Sequence, residues 1–204
     1  VDTSYGQTFV RMSGPSGAPP LVLLHGAGGD SLQWIPNIEA LSRSYRVYAV
    51  DNIYDYGRSI YRQSIKNPDD YVNWLDELFS VLELGNNIKL MGLSYGGWLT
   101  SQYALRFPDR LDKIVLLAPA GTVLPIRLVN PTVLADVELH SIKVPTLYIV
   151  GENEKICSAQ KAIQRLHRVA PHIKTEVIRD AGHDVTFVQE DLVNTKVLEF
   201  LTQR

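Results

Sequence analysis

Short apolar runs alternate with amphipathic stretches from about residue 20 to the end of the chain, and this alternation restricts the fold more than any other feature. Strands are expected at 21–25, 45–50, 87–93, 113–117, 144–150 and 174–179. Helices are expected at 32–43, 68–84, 95–107, 158–169 and 185–201. The clearest is 68–84, where Tyr71, Trp74, Leu75, Leu78, Phe79 and Leu82 recur at steps of three and four and so share one face. In 32–43, Pro36 is compatible only with the first turn. Residues 7–12 suit an edge strand before the Gly/Pro-rich turn 14–20. Strands separated by helices pair in parallel through right-handed crossovers, which puts helices on both faces of the sheet. A single α/β domain over 1–204 follows, with no internal repeat and no linker. The rhythm breaks once, at 120–142. That segment is apolar at Val123, Leu124, Ile126, Leu128 and Val129 but carries Pro125 and Pro131 and no long helical period.

Composition removes several classes of function. The chain is 45% hydrophobic, enough to offset the ordering entropy that leaves polar chains disordered. Its net charge of −2 gives no basic excess for nucleic acid or an anionic membrane surface. The longest apolar runs, 21–24 and 114–118, fall far short of the roughly 20 residues of a membrane span. A lone cysteine, Cys157, excludes an intrachain disulfide framework, and together with the polar first residues it makes a cytoplasmic location the expectation. No H-E-x-x-H, no cysteine/histidine cluster and no phosphate-cradling glycine motif is present, so neither metal nor cofactor is expected.

Chemistry concentrates in Gly92-Leu93-Ser94-Tyr95-Gly96-Gly97, the only G-x-S-x-G of the chain. It lies between an expected strand and an expected helix, so a sharp turn lifts the Ser94 hydroxyl above the sheet edge. Glycine at 92 and 96 lets neighbouring elements approach there. A serine hydroxyl is a poor nucleophile without a base in reach. Of the five histidines, His183 follows the last strand and falls on the same sheet edge as Ser94. His140 sits in the irregular segment, His167 and His172 flank a charged helix, and His25 suits a structural hydrogen bond. The base in turn needs a carboxylate to fix its tautomer. Glu152 and Glu154 both follow the 144–150 strand on the correct edge. Glu154, farther along the loop, is the better choice, and Glu152 stays open. Two N–H donors must converge on a developing oxyanion. Tyr95 N–H is one, and Ala27 N–H, in the loop His25-Gly-Ala-Gly-Gly29, is the other.

These residues resemble the α/β-hydrolase superfamily over nearly the whole chain, most nearly bacterial carboxylesterase-like members with an H-G-x-G loop. The features that carry the resemblance are His25-Gly26-x-Gly28, the elbow Gly92–Gly97, Arg106-Phe-Pro-Asp-Arg110, Val144-Pro-Thr with Gly151-Glu-Asn-Glu154, and Gly182-His183. The chain order Ser94, Glu154, His183 is that of the family. The resemblance implies a three-layer α/β-hydrolase fold, with a nucleophile at Ser94, base at His183, acid at Glu154 and oxyanion donors at Ala27 and Tyr95. The chain departs from the family in three places. Glu replaces the commoner Asp at 154, the loop 51–59 keeps only its Gly57-x-Ser59 end, and 118–143 is too short for the usual helical cap.

The expected activity is therefore hydrolysis of small or short-acyl carboxylic esters through an acyl-enzyme. A shallow, open pocket is expected, lined by Trp34, Tyr95 and Leu124. Alternatives on the same fold are C–C bond hydrolysis, perhydrolysis and non-catalytic ligand binding. A further reading is a chain whose cap has been excised near 127–131. Apolar residues left exposed at 123–129 would then hold a homodimer together.

Overall fold

The computed structural model describes residues 1–125 and 133–203. The chain opens with three short strands, β1 (Asp2–Thr3), β2 (Gly6–Gln7) and β3 (Val10–Ser13). Next come β4 (Pro20–Leu24), α1 (Ile35–Ser42), β5 (Arg46–Val50), β6 (Ile60–Tyr61) and α2 (Pro68–Val81). β7 (Ile88–Leu93), α3 (Tyr95–Arg106), β8 (Leu111–Leu117) and α4 (Asp136–Ser141) follow. The last third holds β9 (Thr146–Gly151), α5 (Ala159–Val169), β10 (Lys174–Ile178), α6 (Val185–Val188) and α7 (Glu190–Thr202). Among the described residues, seven strands form one sheet in the order β10-β9-β8-β7-β4-β5-β3, parallel except that β3 runs antiparallel to β5. The pairs β1–β2 and β2–β6 make a small separate sheet. All the loops at the carboxyl ends of β4, β7, β9 and β10 therefore open on one edge of the main sheet, where a parallel α/β sheet places its ligands.

The central strands are apolar on both faces because helices cover both. Val22, Leu24, Leu90, Leu116 and Val150 share one core with Trp74, Leu75 and Phe79 of α2 and Leu99 and Tyr103 of α3. The alternate residues Leu21, Leu23, Met91, Val115 and Ile149 share a second core with Leu41 of α1 and Val193, Val197 and Leu201 of α7. This two-sided burial explains why the strands read as continuous apolar runs. At the start of α2, Asn67 accepts a hydrogen bond from the Asp70 amide, Pro68 occupies the first turn, and Asp69 and Asp70 complement the helix dipole.

Three expected elements differ in detail. Residues 32–43 divide into a 3₁₀ turn, Ser31–Trp34, capped by Asp30, followed by α1 with Pro36 in its first turn. The expected helix 185–201 breaks at Gln189, whose φ of −133° and ψ of 45° are not helical. Between β8 and β9 the described residues contain one helix, α4, of 6 residues. The two flanks of that connection are tied together: the Leu134 amide donates to Thr122 O, and the Arg165 guanidinium donates to Val123 O, Leu134 O and Asp136. Val123 is buried and so not free for the dimer contact expected of 123–129, while Ile126, Leu128 and Val129 lie outside the described residues.

Candidate active site

β7 ends and α3 begins within one residue, and Ser94 absorbs the turn at φ 53° and ψ −114°. A non-glycine residue at positive φ stores about 1–3 kcal/mol of strain, so the surroundings must hold it there. They do so through the backbone: Ser94 N donates to Leu117 O, and Ser94 O accepts from Trp98 N and Ala120 N. The elbow also needs glycine on both sides. A Cβ on Gly92 would stand 2.1 Å from Gly96 O, and one on Gly96 would stand 2.1 Å from Leu24 O.

His183 and Glu154 come from the loops after β10 and β9 and meet at 2.7 Å, Nδ1 to Oε2. The Glu154 side chain is 1% exposed and that of His183 30%, so the acid is sealed behind the imidazole. Burial alone would raise the Glu154 carboxyl, but hydrogen bonds from His183 and from the Ile156 and Lys155 amides outweigh it and hold the carboxyl below its ordinary value. An ionised carboxylate only accepts, so the proton of this bond is on Nδ1, which in the neutral imidazole leaves the lone pair on Nε2. Glu152, the other acid of this loop, is exposed and lies in a groove with Ala159 and Val177 instead.

The junction of the two loops depends on Gly151, at the start of the acid loop. A Cβ on Gly151 would fall 2.2 Å from Gly182 O and 2.4 Å from Ala181 O. Such a methyl must push the histidine loop away from the acid loop. Gly151→Ala is expected to destabilise the protein by about 1–3 kcal/mol. Activity should fall by more than the unfolded fraction accounts for, as checked by urea unfolding beside an ester assay.

The loop after β4 is pinned amide by amide. Gly26 N donates to Gln33 Oε1 at 2.7 Å, Gly28 N to Asp55 Oδ1 at 2.9 Å and Gly29 N to Gly26 O at 3.2 Å. These contacts spend the neighbours of Ala27 and leave its own amide out. Ala27 lines the cavity beside Ser94, together with Tyr95, whose amide stands in the first turn of α3. His25 is fully buried; its Nε2 accepts from Asn52 N at 2.8 Å and its Nδ1 lies 2.8 Å from Gly26 O. With both ring nitrogens engaged it is a structural residue, as expected. The unusual loop 51–59 has a related use, since Asp51 accepts from Ser31 N and Arg58 N and Asp55 holds Gly28.

Two cavities meet at Ala27, Ser94 and His183. The larger, about 660 Å³, is walled by Ile65, Pro68, Tyr71, Tyr95, Trp98 and Ile156. The smaller, about 190 Å³, is walled by Gln33, Leu93, Asp184 and Phe187. Two expected pocket residues are elsewhere. Trp34 is completely buried in the core beneath α1, because the 3₁₀ turn that carries it packs inward. Leu124 packs partly buried against the other core, where the tied flanks of the connection draw it, and lines neither cavity. The aromatic wall is instead Tyr71, Tyr95 and Trp98. Spacing gave a usable signal here, since Trp98 follows Ser94 by one helical turn and shares its side of α3.

Among the described residues no helix is long and apolar enough to cross a membrane, and no cluster of metal-ligating side chains occurs. A family model described as the alpha/beta hydrolase fold matches residues 19–138. An uncharacterized carboxylesterase, nap, of Bacillus subtilis (strain 168) is 34% identical over 255 residues, covering 98% of this chain and 85% of its own length. Carboxylesterase YbfK of the same organism is 31% identical and covers 98% and 86%. The crystal structure of naproxen esterase from Bacillus subtilis superposes with a TM-score of 0.93 at 34% identity, covering 98% of this chain and 89% of that one. The matched span of 255 residues exceeds the 204 of this chain, so nap carries residues there that this chain lacks. With the family model covering more than half of its length and such relatives matching nearly all of it, the chain belongs to the α/β-hydrolase family.

Proposed function

We propose that the protein is a serine carboxylesterase acting on small or short-acyl esters. The observation that carries this reading is the 2.7 Å bond from His183 to a sealed Glu154 at the mouth of a cavity containing the strained Ser94. His183 Nε2 takes the proton of Ser94 Oγ as that oxygen attacks the ester carbonyl. The tetrahedral oxyanion is held by the Ala27 and Tyr95 amides, which the fold keeps in place before substrate arrives. His183 then protonates the departing alcohol. Water, deprotonated by the same imidazole, attacks the acyl-Ser94 carbonyl, and collapse releases the acid. Being ionised and sealed, Glu154 stabilises the imidazolium at both proton transfers. The carboxylesterases to which the chain is similar support the reaction type.

The two cavities refine the substrate. The smaller one receives a short acyl group, and the larger, aromatic one receives a bulkier apolar alcohol portion. Its size lies within the range of ordinary small-molecule sites, so the short connection between β8 and β9 does not leave a flat surface. A panel of p-nitrophenyl esters from two to twelve acyl carbons tests this assignment. kcat/KM is expected to peak at two to four carbons; a peak at eight or more would overturn it.

A further inference from the structure

We propose that Trp98 sets the upper size limit of the substrate group bound in the larger cavity, by walling it off from a second chamber in the protein. This inference rests on the esterase reading and names the residue that sets its specificity. The second chamber measures about 180 Å³ and is lined by Pro68, Trp98, Gln102, Val133, Leu134 and Glu138. Two of these residues, Pro68 and Trp98, also line the cavity that contains Ser94. Pro68 is backbone at the first turn of α2 and cannot withdraw without unwinding that helix. The indole is thus the part of the partition that side-chain chemistry can change.

Its anchoring is apolar. Trp98 is 9% exposed, yet its buried Nε1 has no hydrogen-bond partner among the described residues, so none of them fixes the ring by a directional polar contact. The ring is held by stacking on Tyr95, with centroids 5.4 Å apart and planes 19° from parallel. Tyr95 in turn meets the Tyr71 ring edge-on at 5.9 Å. Truncating Trp98 therefore removes the wall and strands no polar partner. The chamber it opens holds the volume of about six water molecules at ~30 Å³ each, enough for several further methylene groups.

The test compares wild type with Trp98→Ala, Trp98→Leu and Trp98→Phe on two matched ester series, one lengthened in the alcohol and one in the acyl group. With Trp98→Ala or Trp98→Leu, the ratio of kcat/KM for long over short members is expected to rise about tenfold or more in the series whose long arm fills the larger cavity. The Trp98→Phe profile should stay near that of wild type, because a phenyl ring still closes the opening. Adding Gln102→Phe to Trp98→Ala refills the chamber and should return the profile. Thermal unfolding of each variant checks folding. Displacement of a bound fluorescent dye by primary alcohols of four to twelve carbons gives a readout without turnover, and affinity for the longer alcohols should rise in the same variants. Unchanged ratios and alcohol affinities in folded variants would overturn the proposal. Wild-type protein lacking all ester turnover would overturn the esterase reading instead, and the alcohol measurement would still decide the role of Trp98.

Discussion

Ser94→Ala is expected to lower kcat by about 10⁴–10⁶, with KM little changed, if Ser94, His183 and Glu154 act as one unit. The size follows from what the variant removes. The alanine protein keeps both cavities and the two amides, but it has no oxygen to form the acyl-enzyme. Residual turnover then comes from water in a preorganised oxyanion site, which supplies only the smaller part of the acceleration. Stability should move the other way or not at all, because the hydroxyl is not among the contacts that hold the elbow; those are backbone bonds to Leu117, Trp98 and Ala120. Steady-state kinetics on an acetyl ester, beside a thermal melt, separates the two effects. Unchanged kcat would remove Ser94 from the mechanism.

Glu154→Gln should cost about 10⁴ in kcat while leaving the packing nearly intact. The amide is close to isosteric, but its NH₂ group can donate to Nδ1. That stabilises the tautomer with the proton on Nε2, which cannot accept from Ser94. The charge that offsets the imidazolium is lost as well. The same residue predicts a pH effect on stability. Its carboxyl is held below the ordinary value in the folded protein, so the ionised form favours folding. That contribution is present in full above the unfolded-chain pKa of about 4.3 and disappears as pH falls through the lower folded value. Acid unfolding of wild type should therefore show a component in that window that is absent from Glu154→Gln. Coincident acid-unfolding curves would contradict the claim that the His183 bond and the two amides stabilise the charge.

Much of this site is legible from residue order because parallel topology does the geometric work. Once strands alternate with helices, every loop after a strand falls on one edge, and Ser94, Glu154, His183 and Ala27 each follow a strand. The choice of Glu154 over Glu152 also follows from reach, since the residue farther from β9 is the one that turns to the histidine. Pocket walls are a different matter. Trp34 and Trp98 are both aromatic residues close to a loop of the candidate site, and composition does not tell them apart. What separates them is the direction of a turn: the 3₁₀ segment carries Trp34 inward, whereas one helical turn from Ser94 carries Trp98 to the cavity. The break at Gln189 was equally hidden, because the apolar spacing of 185–201 continues across it. Gly151 is visible in the acid-loop motif, but its packing role is not. Its constraint comes from Ala181 and Gly182, distant in sequence, and exists only when β9 and β10 pair.

The central claim is that Ser94 is an activated nucleophile, and a fluorophosphonate that phosphonylates only such serines tests it most directly. Intact mass followed by peptide mapping should show one adduct per chain, on Ser94, lost in Ser94→Ala and strongly slowed in Glu154→Gln. An unmodified protein, or an adduct that persists in Ser94→Ala, would contradict the account.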